Sequence, residues 1–127
     1  MPIHHALDFV ELAGYGQHEH ERREGIRFLK DLTMEIDGRH VLLVDEVVDT
    51  GLTMNYLSRS LALRGPASLA AVTLFDRPYR RLVDDVPIRY VGFTIPDEFF
   101  VGYGFDLEER WRNLPDLRVA RPMLADF

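Results

Sequence analysis

A short aliphatic run that ends in acids constrains the fold of this chain more than any other stretch. The run Val41–Val44 is too short for a helix and contains β-branched residues. It therefore predicts a strand buried on both faces, as in a parallel α/β sheet. Three carboxylates follow it within five positions, Asp45, Glu46 and Asp49. Open α/β sheets bind ligands at the carboxyl ends of their strands, so we expect these acids to line a ligand site.

A turn and a helix follow the acids. Hydrophobic residues recur at helical spacing after the turn, and Gly65-Pro66 is a stop signal. The turn itself consists of Thr50, Gly51, Leu52 and Thr53. Free backbone N–H groups, the positive end of the helix dipole and two hydroxyls would favour a phosphate dianion there. Alternatively, Thr50 or Thr53 serves only as the helix N-cap, which leaves the neighbouring acids unexplained.

Acids beside a phosphate site suit a sugar phosphate, because carboxylates accept hydrogen bonds from vicinal ribose hydroxyls. The segment resembles the phosphoribosyl-pyrophosphate signature of type I phosphoribosyltransferases, and residues 49–57 resemble the hypoxanthine-guanine branch. By this resemblance, Asp45 and Glu46 hold the ribose and its metal, although the family usually has Glu before Asp. Asp49 would be the general base that takes the purine ring proton. Alternatively, Asp49 is a turn residue that bonds its own backbone.

The resemblance implies a reaction, a cofactor and substrates. The family moves ribose 5-phosphate from phosphoribosyl pyrophosphate to hypoxanthine or guanine, giving IMP or GMP and pyrophosphate, with Mg²⁺ as the cofactor. Two other hypotheses remain open at this point. The chain could be a non-catalytic relative that binds a purine nucleotide, or an inactive remnant held together by oligomerisation.

A second informative stretch runs from Pro96 to Asp106 and combines glycines with adjacent phenylalanines. An aromatic face is a natural platform for a purine ring. The stretch resembles the same family, which implies that Phe99 stacks on the base, the backbone at Phe100 reads its edge and Asp106 holds Mg²⁺. Alternatively, the phenylalanines pack in the core. Asp106 also has capping-box spacing to an acid three positions on, so it could simply start a helix over residues 107–114.

Two arginines also match family positions. Arg112, placed on the helix expected at 107–114, matches an arginine that reaches pyrophosphate, and the alternative is a solvated surface side chain. Arg77 stands where the family has a lysine that donates to the 6-oxo group of the purine. Arginine keeps the charge but is bulkier and planar, so the exchange is not conservative.

The N-terminal part of the sequence predicts a β-hairpin. Residues 7–12 form the first strand, with Leu7 and Phe9 inward and Val10 a further inward candidate, and residues 26–29 form the second. The hairpin resembles the family's lid, and Tyr15 matches the tyrosine of its Ser-Tyr pair. His18 and His20 in the loop could suggest zinc, but no ligand set has a recognised spacing, so a solvated loop is favoured.

Further aliphatic strands at 69–75 and 89–95 complete the predicted fold. We expect an α/β fold with a mostly parallel sheet and flanking helices, similar to type I phosphoribosyltransferases. Residues 1–127 would form one domain, with the hairpin at about 7–30 and the core at about 39–117. Family members begin with a further strand, helix and strand carrying a Leu-Lys-Gly loop for pyrophosphate. That part has no match here, so we expect exposed apolar edges and a homo-oligomer.

Composition narrows the functional classes. The chain has 127 residues, no cysteine and a net charge of −6, so disulfides and thiolate metal sites are excluded. The negative charge argues against general nucleic-acid binding. No apolar run reaches the roughly 20 residues that a membrane helix needs, and no signal peptide is evident. We therefore expect a cytoplasmic protein that does not associate with membranes.

Overall fold

The computed structural model describes residues 2–13 and 25–121, which fall into two compact units, Met1–Thr94 and Ile95–Phe127. The first unit contains β1 (Glu11–Ala13), β2 (Arg27–Lys30), β3 (His40–Val48), α1 (Leu52–Ala62), β4 (Ser68–Asp76), a 3₁₀ turn (Pro78–Arg80) and β5 (Ile88–Thr94). The second unit contains β6 (Phe99–Val101) and β7 (Arg118–Ala120). Within the described ranges, no helix is long and apolar enough to cross a membrane.

The first unit is built around a parallel sheet. Its strands lie in the order β3, β4, β5, and both pairings are parallel. α1 connects β3 to β4, as parallel neighbours require a crossover. The predicted α/β fold with a parallel sheet is confirmed, and the described residues contribute one α-helix to it.

One face of α1 forms the centre of the hydrophobic core. Met54, Leu57 and Leu61 are 3%, 8% and 1% exposed, as their spacing predicted. They belong to one buried cluster with Leu43 and Ala71 from the sheet. Burial of each large side chain contributes about 1.5–3 kcal/mol of transfer free energy, so this contact holds the helix against the strands.

The prediction that β3 is buried on both faces is wrong for the described residues. Leu43 is 9% exposed, whereas Leu42 and Val44 are 44% and 79% exposed. Alternate side chains of a strand point to opposite faces, and only one face of this sheet lies against α1. The strand is also longer than predicted, because it continues to Val48. Asp45 and Glu46 therefore lie within the strand, and only Asp49 follows its end.

The predicted hairpin forms, but its first strand is shorter than expected. β1 pairs with β2 in antiparallel orientation. Leu7 and Phe9 are 72% and 66% exposed, so their inward placement was wrong, while Val10 packs against the core cluster. The segment before β1 is held by polar contacts instead, because the Asp8 carboxylate accepts a 2.8 Å hydrogen bond from the Thr33 N–H.

The Ile95–Phe127 unit contains a small antiparallel sheet of β6 and β7 and an irregular loop between them. The helix predicted at 107–114 is absent. Asp106 Oδ2 does accept a 2.7 Å hydrogen bond from the Glu109 N–H, as a cap would. However, Glu108, Glu109 and Trp111 have φ angles of 51°, 62° and 70°. A right-handed helix needs φ near −63°, so this segment forms turns.

Candidate active site

The turn between β3 and α1 keeps an open helix start. Gly51 occupies the N-cap position with φ 82°, and no side-chain hydrogen bond caps it. Thr50 and Thr53 are therefore not the N-cap, although Thr50 Oγ1 accepts a 3.3 Å hydrogen bond from the Leu52 N–H. The first turn of a helix leaves backbone N–H groups without intrahelical partners. These donors and the helix dipole favour an anion at this end of α1.

Gly51 is required by both its conformation and its packing. A β-carbon at this position would lie 3.0 Å from Arg81 Cδ, 3.0 Å from Val83 Cγ2 and 3.1 Å from Val86 Cγ2. These distances are shorter than ordinary van der Waals contacts, and positive φ disfavours other residues. The segment after β4 therefore packs directly against the turn and fixes its backbone.

Two backbone hydrogen bonds join that segment to the end of β3. The Arg77 N–H donates to the Val48 carbonyl at 3.0 Å, and the Leu82 N–H donates to the Thr50 carbonyl at 2.8 Å. The two acceptors, Val48 and Thr50, are the residues on either side of Asp49 in the sequence. The carboxyl ends of β3 and β4 are thus held together at the edge where parallel sheets bind ligands.

Asp49 carries the most informative feature of the site. Its Oδ1 is buried and makes no hydrogen bond within the described residues, while Oδ2 lies 3.6 Å from a guanidinium nitrogen of Arg80. An unsatisfied buried acceptor costs about 1–3 kcal/mol, and more when it is charged. Oδ1 therefore makes no turn-type hydrogen bond to its own backbone. It is available to accept a hydrogen bond from a ligand.

Asp45 and Glu46 differ in their surroundings. They are consecutive residues of β3, so their side chains point to opposite faces of the sheet. Asp45 is half-buried, and its Oδ1 accepts a 2.8 Å hydrogen bond from the Glu46 N–H. Burial raises the pKa of the Asp45 carboxyl, and hydrogen bonds from the backbone of Glu46 and Val47 oppose that effect. Glu46 is exposed, so the two acids do not grip one ligand group from the same face.

Arginines cluster after β4. Arg77 follows the last strand residue, and its Nε atom is buried. Arg81 donates a hydrogen bond to Asp76 Oδ1, and both side chains of this pair are largely buried. Sequence reasoning missed Arg80 and Arg81. Their position just past the carboxyl end of a parallel strand was the signal that could have found them.

The predicted base-binding phenylalanines lie on β6 of the second unit. Phe99 is 47% exposed, so it is not a core residue among the described residues, whereas Phe100 is half-buried. Gly102 follows β6 with φ 94°, and a β-carbon there would collide with the Asp116 carbonyl oxygen. The glycine therefore permits a tight bend after the aromatic residues.

The remaining predicted residues divide between the second unit and the undescribed part of the chain. Asp106 and Arg112 form an ion pair at 3.1 Å, and Arg112 also donates to the Gly104 carbonyl at 3.1 Å. Arg112 lies in a turn, not on the predicted helix. Tyr15 and the loop histidines, His18 and His20, lie outside the described residues. Within residues 2–13 and 25–121, no three His, Cys, Asp or Glu side chains form a group that could hold a metal ion.

Comparison with known proteins gives a consistent result. Residues 7–108 match the family model described as "Phosphoribosyl transferase domain". The chain is 46% identical to the hypoxanthine phosphoribosyltransferase of Salmonella typhimurium, over 98% of this chain and 67% of the relative. It is 39% identical to the hypoxanthine-guanine phosphoribosyltransferase of Bacillus subtilis, over 94% and 66% respectively. The chain thus spans about two thirds of the length of these relatives.

Solved structures agree with these relatives. A hypoxanthine phosphoribosyltransferase from Staphylococcus aureus superposes with a TM-score of 0.85 at 36% identity, covering 99% of this chain and 67% of that chain. A hypoxanthine-guanine phosphoribosyltransferase from Bacillus anthracis gives a TM-score of 0.78 at 40% identity. The match covers 90% of this chain and 66% of that chain. The fold and the sequence therefore point to the same group of proteins.

Proposed function

This chain belongs to the phosphoribosyl transferase domain family, and on that premise we propose that it is a purine salvage enzyme. It would transfer ribose 5-phosphate from phosphoribosyl pyrophosphate to hypoxanthine or guanine, giving IMP or GMP and pyrophosphate. The names of its relatives in Salmonella typhimurium and Bacillus subtilis support this reaction. The chain spans about two thirds of the length of these relatives, so the activity of this chain is the point to be tested.

The buried, unsatisfied Oδ1 of Asp49 carries the proposal. A purine that attacks a sugar carbon through one ring nitrogen must lose the proton on its imidazole ring. A carboxylate oxygen without a partner accepts that N–H, holds the ring in place and takes the proton as the new bond forms. Removal from water strengthens this interaction relative to an exposed carboxylate.

The 5′-phosphate is assigned to the turn of Thr50, Gly51, Leu52 and Thr53. Support comes from the uncapped start of α1 and from the glycine at its N-cap. A dianion there gains hydrogen bonds from backbone N–H groups and the favourable end of the helix dipole. Asp45 and Glu46 are assigned to the ribose, with Asp45 the better placed because it lies on the same strand face as the half-buried residues.

Mg²⁺ is proposed as a cofactor that arrives with phosphoribosyl pyrophosphate. Mg²⁺ is commonly held by one or two carboxylates together with substrate phosphates, so a cage of protein ligands is not required. Asp106 fits this role, because its Oδ1 already attracts a cation, Arg112, at 3.1 Å. Asp45 and Glu46 are the other proposed metal contacts. When bound, the ion would neutralise charge that develops on the departing pyrophosphate.

The other roles are proposed residue by residue. Arg77 would donate to the purine 6-oxo group, Phe99 would stack on the ring and the backbone at Phe100 would read its edge. Arg112 would contact pyrophosphate. Tyr15, outside the described residues, would belong to the lid.

We also retain residues 1–127 as a single domain, because the family match over residues 7–108 spans both compact units, and limited proteolysis would test this.

We further propose that the chain forms a homo-oligomer in the cytoplasm and binds neither nucleic acid nor membranes. Exposed apolar side chains on the sheet, Leu42, Val44 and Tyr90, support association, because such a patch is unfavourable in water. The net charge of −6 supports the absence of nucleic-acid binding. Sedimentation at several protein concentrations tests the oligomer, and a concentration-independent monomer would contradict it.

Two measurements on the same preparation test the function. Calorimetric titration with GMP reports binding, and an assay with hypoxanthine or guanine, phosphoribosyl pyrophosphate and Mg²⁺ reports turnover. Binding accompanied by turnover is the expected result. Binding without turnover would instead support a nucleotide-binding relative without catalysis, and absence of both would contradict any nucleotide role.

A further inference from the structure

Arg80 lies beside the proposed general base but is not among the residues assigned above. Its side chain is 51% exposed, and one guanidinium nitrogen lies 3.6 Å from Asp49 Oδ2. Oδ1 of the same carboxylate is buried and has no hydrogen-bond partner within the described residues. The two oxygens of Asp49 therefore differ, since one faces a cation and the other faces no donor of the described chain.

Backbone hydrogen bonds place Arg80 and Asp49 close together. Arg80 ends the 3₁₀ turn that follows β4, and its N–H donates to the Arg77 carbonyl at 3.3 Å. Arg77 is itself bonded to Val48, the residue before Asp49. Leu82, two residues after Arg80, is bonded to Thr50, the residue after Asp49. Backbone hydrogen bonds on both sides thus keep the two side chains close.

We propose that Arg80 is a positioning residue for Asp49. It holds Oδ2 and so fixes the orientation of the carboxylate, with Oδ1 as the oxygen that accepts the ring N–H of the purine. The role rests on the proposed function of Asp49, but the ion pair itself can be tested without turnover. Arg80 does not contact the reacting atoms in this proposal.

Other charged groups lie near the Asp49–Arg80 pair. Asp45 and Glu46 lie on β3, before Asp49 in the sequence, and the first turn of α1 contains no acid. The segment that carries Arg80 also contains Arg77 and Arg81, and Arg81 is bonded to Asp76. Arg80 approaches Oδ2 of the Asp49 carboxylate at 3.6 Å.

The test compares Arg80→Gln, Arg80→Lys and a control, Arg89→Gln, in the full chain. Arg89 is an exposed arginine on β5 of the same unit. Carbon-13 NMR at one neutral pH records the chemical shift of the Asp49 carboxyl, and steady-state kinetics gives kcat/KM in parallel. We expect Arg80→Gln to change the carboxyl chemical shift and to lower kcat/KM by about twofold to fivefold, the range for a partly exposed ion pair.

The lysine variant and salt separate this role from a purely structural one. Arg80→Lys keeps the charge, so it should restore most of kcat/KM and the wild-type carboxyl signal, and about 1 M salt should reduce the difference between Arg80→Gln and wild type. An Asp49 carboxyl signal that is the same in wild type and Arg80→Gln, or an equal change in Arg89→Gln, would overturn the proposal. A wild-type chain without turnover would contradict the proposed function, while the carboxyl signal would still decide the role of Arg80.

Discussion

Arg112 and Asp106 hold each other across the loop of the second unit. A guanidinium nitrogen of Arg112 lies 3.1 Å from Asp106 Oδ1, and the two side chains are 56% and 29% exposed. These are the residues proposed to contact pyrophosphate and its metal. The cation proposed to meet pyrophosphate is thus paired with the acid proposed to meet Mg²⁺.

We expect Asp106→Asn to change pyrophosphate binding in opposite directions with and without Mg²⁺. Without metal, loss of the carboxylate releases Arg112 and removes a repulsive charge, so affinity should rise by about threefold, as expected for a partly exposed ion pair. With saturating Mg²⁺, loss of a metal contact should lower affinity by about tenfold. Calorimetric titration under both conditions measures this, and a change of the same sign in both would refute the shared role.

Gly51→Ala should both destabilise the first unit and weaken nucleotide binding. The new β-carbon would lie 3.0–3.1 Å from three side-chain atoms, at a φ of 82°. Gly38→Ala is a matched control, because Gly38 has φ 69° but no atom within 4 Å of the added carbon. We expect Gly38→Ala to cost about 1 kcal/mol from backbone strain, and Gly51→Ala to cost at least about 1 kcal/mol more from crowding.

Urea unfolding of both variants measures the difference. GMP titration completes the comparison. The affinity for GMP should fall roughly tenfold in Gly51→Ala and should not change in Gly38→Ala. Equal loss of stability in the two variants would show that packing of residues 81–86 against the turn contributes nothing.

Asp49→Asn should separate binding from chemistry. Asparagine keeps the shape of the side chain but cannot take a proton, so GMP affinity should stay within about tenfold while turnover falls by roughly 10²-fold or more. Asp84→Asn, at an exposed acid of the same unit, serves as the control and should leave both unchanged. Steady-state kinetics and calorimetry provide the two values. Turnover of Asp49→Asn equal to wild type would exclude the general-base role.

Acid should weaken the first unit through Asp8. Partial burial raises the pKa of this carboxyl, but hydrogen bonds from the backbone of Phe9, Thr33 and Met34 and from the Thr33 hydroxyl outweigh it and lower the pKa to about 2, from 3.8. The ionised form is favoured in the folded state, so its contribution is complete above about pH 4 and is lost as the pH falls towards about 2.

Urea midpoints recorded between about pH 5 and about pH 2 test this contribution. We expect Asp8→Asn to be less stable than wild type at neutral pH and to show a flatter decline on acidification. Wild type and Asp8→Asn with identical pH dependence would mean that the contacts to Thr33 and Met34 do not stabilise the ionised carboxylate.

The prediction from helical periodicity agrees with the structure for α1. Met54, Leu57 and Leu61 are buried because a helix places these positions on one face. The same reasoning failed for β3, because a uniformly aliphatic run carries no period-two signal. Exposure of Val44 depends on what covers the other sheet face, and local sequence does not encode that.

The prediction of a capped helix after Asp106 was correct only for the capping hydrogen bond. The capping-type bond from the Glu109 N–H to Asp106 exists, yet residues 107–114 do not form a helix, because positive φ angles at Glu108, Glu109 and Trp111 redirect the chain. In the site, the turn proposed to hold the phosphate was recognisable as small hydroxyl-bearing residues after a strand. The unsatisfied oxygen of Asp49 and its approach to Arg80 were not, because both arise from contacts between segments distant in sequence.

A comparison of GMP with guanosine tests the phosphate turn most directly. The two ligands share the base and the ribose and differ only in the 5′-phosphate. The net charge of −6 disfavours any anion in general, so a preference for GMP must come from local donors such as the turn from Thr50 to Thr53. Calorimetric titration should show GMP binding at least about tenfold more tightly than guanosine, with the preference reduced in Gly51→Ala. Equal affinity of the wild-type chain for GMP and guanosine would contradict a phosphate site at this turn.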